Sequence, residues 1–227
     1  MEGMGLMLLE TERKQVVEYG KRMSAARLSS GTSGNISVYN AAEKLLAISP
    51  SGMDYFDTAP EDVVVMDLNA RIVDGARRPS SEWALHTAFN GRRTDVRAVV
   101  HTHSVYCATF AVLGMPLRAV HYMIGGANTA EVPCAPYRTF GTAELAEAAV
   151  AACGGGNAVL LGNHGLVTCG DGIQSAYRLA CDMEYVAEVQ YRAMCIGRPN
   201  ILSDGEMDTV IRKFRTYGQI SEEKRGD

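Results

Sequence analysis

The run Val96-Arg97-Ala98-Val99-Val100-His101-Thr102-His103 reads as a β-strand, because β-branched residues dominate it. Alternate side chains of a strand share a face, so the imidazoles of His101 and His103 emerge side by side. Two imidazoles on one face are the usual start of a zinc site. Taken alone, they fit equally well a pair of ordinary hydrogen-bonded histidines in a half-buried strand.

Around this strand the chain alternates short strands and helices. Apolar spacing predicts a helix over 11–28, with Val16 and Met23 on one face and Lys and Arg on the other. A Gly-rich polar loop, 29–35, leads to strands at 36–39, 44–48, 63–68 and 71–73. A helix is expected from Ser81 to about Asn90, capped by Ser80 and Ser81, with Glu82 in its first turn. Further helices are expected at 105–113, 143–152, 173–195 and 207–217. Residues 158–161 and 166–168 read as a hairpin whose tip, Gly162-Asn163-His164-Gly165, is flanked by glycine. There is no repeat and no linker. The expectation is one mixed α/β domain over 1–227, structured from about 11 to 217 and ending in a charged tail.

Composition excludes several classes. The net charge of −4 and scattered basic residues give no footprint for nucleic acid. No apolar run reaches the 18 or so residues a membrane span needs, and the N-terminus does not read as a secretory signal. The six cysteines form no CxxC pair, which points to free thiols and a reducing, cytoplasmic setting.

Two residues strengthen the metal reading. His164 sits on a turn where glycine permits close backbone approach, and Glu82 offers a carboxylate at a loop-to-helix junction. Three nitrogens and an oxygen suit a catalytic zinc, although Mn, Co or Fe fit the same set. His86, one turn beyond Glu82, reads as a supporting or core residue, and His121 as an ordinary hydrogen-bonded or surface one. Three polar turns, Ser33-Gly34-Asn35, Ser49-Pro50-Ser51-Gly52 and Ser80-Ser81, carry the materials of an anion site, provided that they converge in space.

The ordered set Ser-Gly-Asn-Ile-Ser (33–37), Ser-Pro-Ser-Gly (49–52), Ser-Ser-Glu-x-x-x-His (80–86), His-Thr-His-Ser (101–104) and Gly-Asn-His-Gly (162–165) resembles the class II aldolase/adducin family. The resemblance runs from about residue 11 to 217. It implies a three-layer α-β-α fold with a central, predominantly antiparallel sheet, assembled as a homotetramer with active sites between subunits. It implies zinc on His101, His103, His164 and a displaceable Glu82, and a phosphate held by Gly34, Asn35, Ser51, Gly52, Ser80 and Ser81. The implied reaction is cleavage of a ketose 1-phosphate, L-fuculose 1-phosphate or similar, to dihydroxyacetone phosphate and a short aldehyde.

By the same resemblance, Glu82 is the acid/base at carbon, and Tyr122, reaching in from a neighbouring subunit, the acid/base at oxygen. Tyr217 is a candidate to close over the site. Glu rather than Asp at position 82, and no Trp between Tyr106 and Ala111, favour the family's aldolases over its ribulose-5-phosphate 4-epimerases. Two further rival readings are a methylthioribulose-1-phosphate dehydratase on the same scaffold and a non-catalytic adducin-like interaction module.

Overall fold

The computed structural model describes residues 7–214. Helix α1 (Glu10–Ala25) leads into a meander of four strands, β1 (Asn35–Asn40), β2 (Leu45–Ile48), β3 (Val64–Asp67) and β4 (Ile72–Asp74). Next come α2 (Trp83–Arg92), β5 (Ala98–Thr102) and α3 (Val105–Leu113). After the two-residue strands β6 (Leu117–Arg118), β7 (Glu131–Val132) and β8 (Cys134–Ala135), the chain continues through α4 (Ala143–Cys153), β9 (Ala158–Leu161) and β10 (Gly165–Gly170). Helices α5 (Ile173–Ile196) and α6 (Asp204–Phe214) follow.

Eight strands form one sheet in the order β4-β3-β2-β1-β5-β10-β9-β8. All its pairings are antiparallel except β8 with β9. Period-2 alternation sorts the side chains into two cores. Val38, Ala98, Val100, Leu160 and Leu166 pack with Met23, Phe110 and Met183 from α1, α3 and α5. Val99, Val159, Leu161 and Val167 pack on the opposite face with Leu85, Phe89, Leu145 and Ala149 from α2 and α4. The fold is therefore mixed α/β, with helices on both faces of a largely antiparallel sheet.

Strand β5 sits mid-sheet, with His101 opposite Asn35 of β1 on one side and Val167 of β10 on the other. Its odd-numbered side chains face α2, so Val99 enters the α2/α4 core and His101 continues along that face to the strand's end. Turning away after β5, the chain starts α3 with no side-chain cap of its own. The Glu184 carboxylate on α5 instead accepts from the Tyr106 and Cys107 N–H groups, both at 2.9 Å.

Two expectations change. On α1 the cationic face is not wholly solvent-facing: Arg13 is 2% exposed, paired with Asp74 and donating to the Val63 carbonyl at 2.6 Å. Helix α2 starts at Trp83, later than the serines suggested, and Glu82 occupies the cap position without a capping side-chain bond. Ser80 Oγ accepts from the Glu82 N–H at 3.3 Å. The serines shape the entry to the helix and leave the Glu82 carboxylate free for another role.

Candidate metal centre and anion cavity

The sheet brings Glu82, His101, His103 and His164 together. One ligand atom from each lies within 4.8 Å of every other. His101 Nδ1–H donates to the Leu166 carbonyl at 2.9 Å. A carbonyl only accepts, so this bond fixes the tautomer and turns the Nε2 lone pair outward. His101 Nε2 stands 2.9 Å from His103 Nε2, 3.2 Å from His164 Nε2 and 3.2 Å from Glu82 Oε2. Tetrahedral zinc with bonds of about 2.0–2.1 Å holds its ligand atoms about 3.3 Å apart, close to these spacings. Converging lone pairs repel one another unless a proton or a cation lies between them. Glu82 Oε1, buried with no hydrogen-bond partner, adds the oxygen such a cation would need. The donor set fits a divalent metal.

A polar relay holds the carboxylate in place. Asn35 Nδ2 donates to Glu82 Oε2 at 2.9 Å, and Asn35 Oδ1 accepts from His86 Nε2–H at 2.6 Å. That leaves His86 Nδ1 to accept from the Ser37 hydroxyl at 2.7 Å. Burial pushes His86 down to about 3, so it is a neutral ring with both nitrogens committed. Burial works to raise the Glu82 carboxyl, but its electrostatic contacts with His101, first, then with His164, and the hydrogen bond from Asn35 hold it well below the usual carboxylate range. Burial likewise lowers His103 and His164 to about 4, so both are neutral ligands at physiological pH.

In the metal-stripped protein these shifts make stability pH-dependent. His86, His103 and His164 titrate at about 3–4 when folded and at the ordinary 6.5 when unfolded. The unfolded chain then binds more protons across that interval, so stability is full above pH 6.5 and falls as pH drops toward 4. Melting temperatures of chelated protein should decrease from about pH 7.5 to about pH 5. A flat or rising profile would contradict this assignment of neutral, buried imidazoles.

Beside the histidines opens a cavity of about 410 Å³, and all three polar turns reach it. An isolated bridge between Pro50 and Pro79 ties two of them together, with Ser80 N–H donating to the Ser49 carbonyl at 3.0 Å. Ser49 Oγ also accepts from Ile36 N–H at 3.2 Å, which draws in the third. Gly34, Asn35, Ser51, Gly52, Ser80 and Ser81 all line the cavity, together with Glu82, His103 and His164.

A profile of the Class II Aldolase and Adducin N-terminal domain matches residues 14–191. The chain belongs to the class II aldolase and adducin family. It is 46% identical over 213 residues to a 5-deoxy-D-ribulose 1-phosphate aldolase of Bacillus thuringiensis, covering 94% of this chain and 100% of that one. It is 40% identical to a 5-methylthioribulose-1-phosphate/5-deoxyribulose-1-phosphate aldolase of Rhodospirillum rubrum, covering 91% and 92%. Among solved structures, an L-fuculose 1-phosphate aldolase superposes with a TM-score of 0.88 at 40% identity, covering 90% of this chain and 96% of that one. Class II aldolases use a divalent metal, and the His/Glu set is the site for one here.

The remaining predicted residues fall elsewhere. Tyr122 begins a 3₁₀ turn (Tyr122–Ala127), is 54% exposed, and stacks near Phe214 at 6.3 Å; it does not line this chain's own cavity. Tyr217 lies outside the described residues. His121 packs against Tyr122 and Tyr185, apart from the metal ligands. Conversely, sequence reasoning missed Tyr137, Arg138, Phe140 and Asn163, which all line the cavity. Only Asn163 carried a signal, as the residue before His164, and it takes the left-handed conformation at φ 55°.

Proposed function

We propose that this chain cleaves a ketose 1-phosphate between C3 and C4, giving dihydroxyacetone phosphate and a short aldehyde. The observation that carries the reading is one cavity lined by His103, His164 and Glu82, with His101 buried behind them in the same four-residue cluster, and by three donor-rich turns. His101, His103, His164 and Glu82 would hold the metal, with zinc the first choice for a three-nitrogen, one-oxygen set. When bound, it supplies Lewis-acid stabilisation of the negative charge that develops on the substrate's carbonyl and adjacent hydroxyl oxygens.

The protein's own residues do the rest. The N–H groups and hydroxyls of Gly34, Asn35, Ser51, Gly52, Ser80 and Ser81 hold the phosphate and fix the register of the sugar chain. Glu82, an ionised carboxylate, takes the C3 proton in the synthetic direction and returns it during cleavage. The C4 hydroxyl proton goes to a second acid/base. Tyr122 is that group, supplied by a neighbouring copy, because its exposed phenol lies away from its own chain's cavity. Val105, Val112, Leu113 and Ile196 are likewise exposed, in keeping with a homotetramer whose sites lie between subunits. Tyr217 is the candidate closing residue. No helix among the described residues is long and apolar enough to cross a membrane, and six free thiols favour a cytoplasmic setting.

The substrate we put first is 5-deoxyribulose 1-phosphate, since relatives named for it reach 46% and 40% identity; L-fuculose 1-phosphate comes second. Incubating metal-replete protein with each should release dihydroxyacetone phosphate, with acetaldehyde from the first and lactaldehyde from the second. The larger kcat/KM is expected for the first. Recovery of an epimerised or dehydrated sugar phosphate, without dihydroxyacetone phosphate, would overturn the aldolase reading in favour of an epimerase or dehydratase.

A further inference from the structure

The cavity's donors pose an electrostatic problem. A sugar phosphate carries close to two negative charges at neutral pH, yet the turns at residues 33–35, 50–52 and 80–81 offer only neutral groups. Among the described residues that line the cavity, Arg138 is the single lysine or arginine. It belongs to the loop between β8 and α4, a segment with no motif of its own.

Both ends of that loop are pinned against the two halves of the site. At the metal end, a Cβ on Gly162, beside the His164 tip, would lie 2.9 Å from the Tyr137 amide nitrogen. At the anion end, Gly141 takes φ +74°, and a Cβ there would stand 2.8 Å from the Ser81 carbonyl oxygen. The backbone thus passes from the histidine tip to the serine turn across the cavity wall, and Arg138 lies between the two anchors. Its guanidinium makes one hydrogen bond, to the carbonyl of Tyr137 at 2.8 Å. A guanidinium has five donors in a planar fork, so most remain available, and that fork matches two oxygens of a phosphate.

We infer that Arg138 is the cationic member of the phosphate site and sets the preference for phosphorylated over unphosphorylated ketoses. This deepens the aldolase reading and rests on it for the identity of the substrate. The serine and glycine turns supply shape and neutral donors, while Arg138 supplies the charge.

The test uses inorganic phosphate and the ketose phosphate separately. By calorimetry, metal-loaded Arg138→Gln should bind inorganic phosphate about 10- to 100-fold more weakly than wild type, with Arg138→Lys in between. Metal content and melting temperature should stay at wild-type values, because the side chain is exposed and its single bond is local. In the kinetic arm, Arg138→Gln should raise KM for the ketose 1-phosphate by a similar factor. Slow cleavage of the same ketose without its phosphate should be untouched. Unaltered phosphate affinity in Arg138→Gln overturns the inference whether or not the protein is an aldolase. Failure of wild type to release dihydroxyacetone phosphate, with the phosphate affinities still separating, would sink the aldolase reading and leave the anion role standing.

Discussion

Glu82→Gln is expected to lower kcat about 10²- to 10⁴-fold while metal remains in the protein. The replacement keeps the shape of the side chain and leaves a carbonyl oxygen to accept from Asn35 Nδ2, as Glu82 Oε2 now does at 2.9 Å. Three imidazoles still face one another, so at saturating metal the site stays filled. What disappears is a group able to exchange a proton with C3. Metal analysis and kcat, measured on the same preparation, separate the two roles. A Gln variant with wild-type kcat would remove Glu82 from the proton transfer, and one that folds but holds no metal would make it chiefly a ligand.

Gly34→Ala should be nearly as damaging, for a backbone reason. Gly34 takes φ +73°, and a Cβ there would lie 2.7 Å from the His101 carbonyl oxygen and 2.3 Å from Ser29 Oγ. Left-handed strain and overpacking against a fixed carbonyl together cost about 2–4 kcal/mol. The damage is local, because Gly34 adjoins Asn35 and its own carbonyl anchors Tyr55 through a 2.8 Å bond. We expect a fall in melting temperature together with loss of most activity. Gly52→Ala is the control: it too has positive φ, at +69°, but nothing lies within 4 Å of its Cβ. It should cost less stability, since only the strain applies. Equal losses from the two changes would show that the His101 contact is not what fixes residue 34.

Much of this architecture is legible in the sequence because it follows local rules. The β-branched run at 96–103 and the short apolar runs either side of the Gly-flanked His164 tip mark strands, and helical spacing places α3 and α5 within a residue of their expected bounds. The convergence of the three polar turns is only a condition at the level of sequence. It is met through the Pro50–Pro79 bridge and the Ser49 bonds, which join residues far apart in the chain. Strands β6, β7 and β8 leave no signal because two residues establish no period. Arg13 departs from expectation because helical spacing says which residues share a face, but not that Asp74 and three carbonyls await a guanidinium there. Tyr137, Arg138 and Phe140 escape for a similar reason. Their loop is an ordinary Pro-flanked connection until Gly141 and Gly162 press it against the site. The Ser37-His86-Asn35-Glu82 relay is half visible, since His86 stands one helical turn after Glu82.

The most direct test of the account is dihydroxyacetone phosphate release from 5-deoxyribulose 1-phosphate, followed before chelation, after chelation and after zinc is restored. The account predicts activity that disappears with the metal and returns with about one zinc per chain, as expected of a single four-ligand catalytic site. Full activity in protein shown to be free of metal would contradict it.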